Sequence, residues 1–172
     1  MTMLNEVRGF VQAAVDAIAA VIGVEVGMVD ENLLTVAGSG QYAVHIGRVL
    51  WPDSVSAKVL ATRKTLVVRE PQRDELCSGC SRKGLCTDAA DIITPLVVDG
   101  KPAGCLLLVA CTAEQKERLL GGMQRWVYFI ERMTDLIARA LNEKKQADKA
   151  TSLALQFDTL INSMGEGVVT LD

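Results

Sequence analysis

The segment Ile92-Ile-Thr-Pro-Leu-Val-Val-Asp-Gly-Lys-Pro-Ala-Gly-Cys-Leu-Leu-Leu-Val-Ala110 decides how this chain is read. Two apolar runs, Ile92 to Val98 and Ala103 to Ala110, flank Asp99-Gly100, a favoured pair for a tight turn, and together they predict a β-hairpin. Thr112 then stands where a helix cap is needed, with Gln115 three residues on as its capping-box partner. The helix that starts there is predicted to run from about Ala113 to Ser163, interrupted only at Gly121-Gly122. Fifty residues at ~1.5 Å each span roughly 75 Å. A domain of about 120 residues is only on the order of 35 Å across, so the distal half is expected to leave its own domain.

Upstream of the hairpin, apolar residues from Leu4 to Ile22 fall in steps of three and four, a helical stripe that Gly23 ends. Val24 to Val29 and Leu33 to Ala37 read as two strands joined by a turn at Asp30-Glu31-Asn32. The stretch from Gln41 to Ala61 is ambiguous. Pro52 breaks it, and Ser54 is placed to cap a short helix through Ala61. Thr65 to Arg69 reads as a short strand ending before Pro71. Residues 74–90 form a loop carrying Cys77, Cys80 and Cys86 in a C-x2-C-x5-C spacing, with Gly79 and Gly84 among them. The fold class is α+β, an antiparallel sheet flanked by amino- and carboxy-terminal helices, the last of them long.

The seam of that last helix runs Met123, Trp126, Ile130, Met133, Ile137, Ala140, Lys144 and Ala147. It then shifts register to Ala150, Leu153, Phe157, Leu160 and Met164. A projecting helix with a heptad seam calls for a partner, and a second copy forming a stuttered parallel coiled coil is the simplest one. A homodimer through the amino- and carboxy-terminal helices is therefore expected. The other reading is that the seam packs on the body of the domain or on the first helix. Gly165 to Asp172 ends in one apolar strand with nothing to pair with, as expected of a chain cut just inside a second domain.

Composition narrows the function. The 172 residues are 49% hydrophobic, 23% charged and 4% aromatic, with a formal net charge of −3. This suits a globular domain with an aliphatic core and gives no sign of direct nucleic-acid binding. No apolar run approaches the ~18 residues needed to span a bilayer, and the start of the chain does not read as a secretory signal. A cytoplasmic location and a reducing environment are expected, which makes disulfides the weaker reading of the five cysteines.

The element order, with Thr94-Pro-Leu-Val-Val-Asp-Gly-Lys-Pro-Ala-Gly104 followed by Cys105-Leu-Leu-Leu-Val109, resembles a GAF domain, and PAS-like sheets share such hairpins. The likeness covers about residues 1–135, with residues 136–163 as a coiled-coil linker. Phe157-Asp-Thr-Leu-Ile-Asn-Ser-Met-Gly-Glu-Gly-Val-Val-Thr-Leu-Asp172 is similar to the opening of a PAS domain, so residues 164–172 would be its truncated start. A GAF-like domain with clustered cysteines, a helix and then PAS looks like the sensory front of a bacterial sigma-54-dependent transcriptional activator. Histidine kinases and cyclic-dinucleotide enzymes share such a front end. The signature of cyclic-nucleotide-binding GAF domains is missing, as is a Cys-His pair of the kind that carries bilins.

The chemistry has several readings. Cys77, Cys80 and Cys86 leave a tetrahedral zinc or a four-iron cluster one ligand short. Cys111, at the strand end, is better placed to complete it than Cys105, expected mid-sheet as a core residue. His45 or an exogenous ligand are further candidates. An iron–sulfur centre is the first reading. Zinc, a metal-free thiol switch and incidental cysteines follow. Arg82 and Lys83 flank Cys80 and are expected to favour thiolate. Separately, Tyr42, His45, Trp51 and Arg69, with Arg48, are candidates to bind a small organic effector in a pocket beside the sheet. No nucleophile with a paired base, no phosphate-cradling glycine loop and no convergent carboxylates are evident, so the chain is expected to sense a redox, metal or small-molecule signal rather than to catalyse.

Overall fold

The computed structural model describes residues 2–167. A short helix α1 (Met3–Glu6) is followed by α2 (Arg8–Ile22), β1 (Glu25–Asp30), β2 (Thr35–Gly38), a 3-10 turn at Gly40–His45 and α3 (Val55–Thr62). Then come β3 (Leu66–Val68), the cysteine loop, β4 (Ala90–Val98), β5 (Lys101–Ala110), α4 (Ala113–Gly121) and α5 (Met123–Gly167). The five strands form one antiparallel sheet in the order β2-β1-β5-β4-β3.

The hairpin is where the sequence put it. β4 and β5 pair from Ala90 opposite Ala110 to Val98 opposite Lys101. Asp99 and Gly100 both have positive φ, 52° and 73°, the geometry whose twist suits a two-residue hairpin turn. Asp30 ends β1 by accepting from the backbone N–H groups of Asn32 and Leu34 through Oδ1, at 2.9 Å each. β2 begins later than predicted because Leu33 takes a positive φ of 63° and Leu34 bridges Val49.

β5 shows how one strand serves two cores. Leu106, Leu108 and Ala110 point to one face, where Val11, Val15, Ile18 and Ile22 of α2 and Ile130, Ile137 and Leu141 of α5 cover them. Cys105, Leu107 and Val109 point to the other, among Tyr42, Val55, Val59 and Ile93. Each fully buried aliphatic side chain contributes roughly 1.5–3 kcal/mol.

Two expectations about helices change. The first helix is not continuous: Val7 leaves helical geometry, with φ −113° and ψ 25°. Thr2 Oγ1 donates to Asp30 Oδ2 at 2.8 Å while Leu4 is fully buried, so the first turn bends onto the sheet. The proximal seam of α5, Trp126, Ile130 and Ile137 with Met123 and Met133 packed alongside, lies on the chain's own sheet core. This is the second of the two sequence readings for that part of the helix. From Gln146 to Gln156 every residue is exposed. The PAS-like strand predicted at the end of the chain falls on residues 168–172, outside the described residues.

Candidate functional site

The second face of the sheet is less completely filled. A cavity of about 120 Å³ lies there, floored by Asp91 and Ile93 of β4 and by Leu107 and Val109 of β5. One wall comes from the 3-10 turn, as Tyr42 and His45, and from Leu50 and Trp51. A second comes from the start of α3, and the third is the cysteine loop with Cys77, Cys80 and Cys86. For scale, an apolar cavity of about 150 Å³ accepts benzene.

Local structure explains each wall. Gly27 of β1 leaves room for the Tyr42 ring, which occupies the space a β-carbon would need. Tyr42 and His45 rings then sit 5.0 Å apart. Ser54 caps α3 as predicted, accepting from Ala57 N–H at 3.3 Å. The cysteine loop is a run of turns started by Asp74, whose side chain accepts from Leu76 N–H. Ser81 to Asp53 Oδ2 and Lys58 Nζ to the Leu76 carbonyl tie that loop to the start of α3 and its flank, and Gln72 Nε2 donates to the Cys86 carbonyl at 2.9 Å, closing the loop on its own base. The Arg82 guanidinium lies over the Trp51 ring, 4.9 Å from its centre.

The structure merges the two residue sets that the sequence kept apart. Cys77, Cys80, Cys86, Tyr42, His45 and Trp51 all line this cavity. Cys105 is fully buried mid-sheet, with its Sγ 3.9 Å from the Ser56 carbonyl. Cys111 lies two residues beyond Val109 and packs against the same core without lining the cavity. Its N–H donates to Gln115 Oε1 at 2.8 Å, so the return arm of the capping box reaches Cys111, while Thr112 Oγ1 accepts from Gln115 N–H at 3.2 Å. Arg69 lies outside as well. It is exposed and directs Nη2 at Met123 Sδ, 3.5 Å away at the start of α5.

Cys77, Cys86, Cys105 and Cys111 are not activated. Burial pushes the Cys86 thiol up to about 12, with the Asp88 carboxylate adding to the effect and accepting from Sγ at 3.3 Å. Burial first, then Asp91, raises Cys77. Burial lifts Cys105 to about 12 and Cys111 to about 11. The expected thiolate-favouring influence of Arg82 and Lys83 is not what governs Cys77 and Cys86, because carboxylates and low-dielectric surroundings dominate there. Among the described residues, no three His, Cys, Asp or Glu side chains are arranged to hold a metal ion. The donor set therefore does not fit a zinc or iron–sulfur centre in this arrangement.

Sequence reasoning missed Asp91. It is 8% exposed, and its Oδ1 is buried without a hydrogen-bond partner among the described residues. Burial, then Asp88, holds its carboxyl well above the usual range. Strand alternation was the available signal, since an acid two positions before Ile93 shares its face.

No family model matches the chain. It is 30% identical over 173 residues to an Escherichia coli (strain K12) protein provisionally named as a uric acid sigma-54-dependent transcriptional regulator, UacR. That alignment takes in 99% of this chain and 29% of the relative, so the chain spans under a third of its length. Among solved structures, the GAF domain of A. aeolicus NLH2 in an inactive state matches with a TM-score of 0.56 at 12% identity, over 77% of this chain and 82% of that one. The type II free methionine-R-sulfoxide reductase of Thermoplasma acidophilum matches with a TM-score of 0.57 at 16% identity, over 81% and 96%. The fold is GAF-like, and proteins of that fold include both regulatory domains and a reductase.

Proposed function

We propose that this GAF-like chain, a relative of a sigma-54-dependent transcriptional regulator, is the sensory domain of such a protein and binds a small organic effector in the cavity beneath the cysteine loop. The carrying observation is convergence: four separate segments bring aromatic, cationic and acidic side chains to one cavity of about 120 Å³ on the sheet face away from the long helix. Sites of this kind, apolar with a few polar groups, are the usual form of small-molecule pockets. Uric acid, named for the relative, is the first effector to test. It is flat, which suits walls made by Tyr42, His45 and Trp51, and being larger than benzene it requires the cysteine loop to move outward. In a melting experiment on the whole chain, ligand at a hundredfold excess over its Kd should stabilise the fold by about 2.7 kcal/mol. That corresponds to a rise of roughly 5–10 °C for a domain of this size. The reading fails if Val109→Trp, which fills the cavity, leaves that rise intact.

The relay is part of the same proposal. The cysteine loop adjoins Arg69, which reaches Met123 at the start of α5, and Glu70, which pairs with Lys116 near the start of α4 at 3.9 Å. Thr65 Oγ1, at the other end of β3, donates to Glu131 Oε1 of α5 at 2.7 Å. Movement of the loop on ligand binding would thus bias α5. The distal helix offers exposed Leu153 and Leu155, and α2 and α5 expose Phe10, Val21, Tyr128 and Leu136. Dimerisation through these helices, with residues 1–135 as sensor, 136–163 as linker and a PAS domain beyond, is the arrangement we favour. Binding is favoured over catalysis because the cavity thiols Cys77 and Cys86 are held protonated. No turnover of free methionine-R-sulfoxide with a thiol reductant is expected. The iron–sulfur and zinc readings rest only on cysteine spacing.

A further inference from the structure

We propose that Asp91 is the group that reads the effector, and that the effector belongs to the class of small flat rings bearing a cyclic amide edge, an N–H beside a C=O. This inference rests on the cavity being the effector site. Asp91 is fixed by the sheet: it pairs with Val68 of β3 on one side and Val109 of β5 on the other, which aims its side chain into the cavity beside Ile93. Its Oδ1 is buried and has no partner among the described residues. An unpartnered buried polar atom is destabilising, and that cost is relieved if a ligand supplies the missing hydrogen bond.

The surroundings select the ligand's chemistry. Asp88 adjoins Asp91, and burial with this neighbour favours the protonated carboxyl. A carboxyl kept neutral in an apolar setting both donates and accepts. Its natural complement is an edge that does the same, and an N–H next to a carbonyl does. On the opposite wall, Arg82 and Lys83 provide cations for a further carbonyl or enolate oxygen, while Trp51 and Tyr42 offer flat apolar contact. A bare cation would instead need an ionised carboxylate, whereas a ring anion such as urate keeps amide N–H groups for Asp91 and has Arg82 and Lys83 to balance its charge.

Calorimetric titration of the whole chain with uric acid, uracil and hydantoin, and with fully N-methylated uric acid, tests the assignment. At least one of the first three should bind, and the methylated ring should bind at least about tenfold more weakly, equivalent to about 1.4 kcal/mol. Asp91→Leu should weaken binding by about tenfold or more, whereas Asp91→Asn, which keeps a donor and an acceptor, should stay within about threefold of wild type. Wild-type affinity in Asp91→Leu, with Val109→Trp inactive, overturns the role of Asp91 and leaves the cavity standing. Wild-type affinity in Val109→Trp overturns both. Equal losses in Asp91→Asn and Asp91→Leu, equal binding of the methylated ring, or no binding by any of the three compounds overturns the ligand class. Should Asp91→Leu fail to fold, Asp91→Ala takes its place with the same expected loss.

Discussion

The two faces of the sheet are built from the same strands and behave as opposites. Under α2 and α5 the face is aliphatic and closed, with Leu106, Leu108, Ile92 and Leu96 fully buried. Under α3 and the cysteine loop it keeps a cavity, a buried acid and three thiols. Stability and recognition are thereby assigned to different sides of one layer. A side chain's direction along β5, not its depth, decides which of the two it serves.

Adjacent residues on β5 give the sharpest way to break this contrast. Leu108→Ala opens a hole in the closed face and should cost about 2–5 kcal/mol in urea unfolding, with ligand affinity unchanged once folded. Leu107→Ala enlarges a cavity that already exists. It should cost at least about 1 kcal/mol less, and it should alter affinity. Equal costs, or affinity changes in Leu108→Ala, would mean the faces are not separate.

The next effect is smaller and concerns pH. The Asp91 carboxyl is raised in the folded state from its ordinary value of 3.8, so the fold binds this proton more tightly than the unfolded chain does. Its contribution is therefore fully present below about pH 4 and is lost as pH rises towards the folded-state value. Asp91→Asn removes that slope. Wild type should lose stability relative to Asp91→Asn from about pH 4 upward, at a limiting rate of about 1.4 kcal/mol per pH unit. Parallel curves would show that the carboxyl is not held neutral.

Much of this was legible beforehand, and the reason is locality. The Asp99-Gly100 turn, the Ser54 and Thr112 caps and the end of α2 at Gly23 depend on neighbours a few residues away, and each is found in the structure. The proximal seam of α5 was open to two readings because heptad spacing is satisfied equally by a sheet surface and by a second helix. The cysteines drew attention as a metal motif, yet spacing along a loop does not report whether thiols converge in space. Asp91 stayed hidden for the same reason: its importance depends on which face of β4 it occupies and on what lies across the cavity.

Two lesser effects complete the comparison. Thr112→Ala, which removes the cap between β5 and α4, should cost about 0.5–2 kcal/mol and leave ligand affinity unchanged. Cys80→Ser, at a half-exposed position on the loop, should shift stability by no more than about 0.5 kcal/mol. A chelator should leave the melting temperature of anaerobically purified protein unchanged. A large drop on chelation would restore the metal reading of Cys77, Cys80 and Cys86.

Amide hydrogen exchange of the whole chain with and without a saturating concentration of whichever of uric acid, uracil and hydantoin binds is the most direct test of the division between the two faces. Added protection is expected in residues 74–90, at Gly40–His45 and at the start of β4, with a smaller change at the α4–α5 junction and none in the middle of α2. Protection confined to α2 and α5, or none at all, would contradict the placement of the sensory site on the second face.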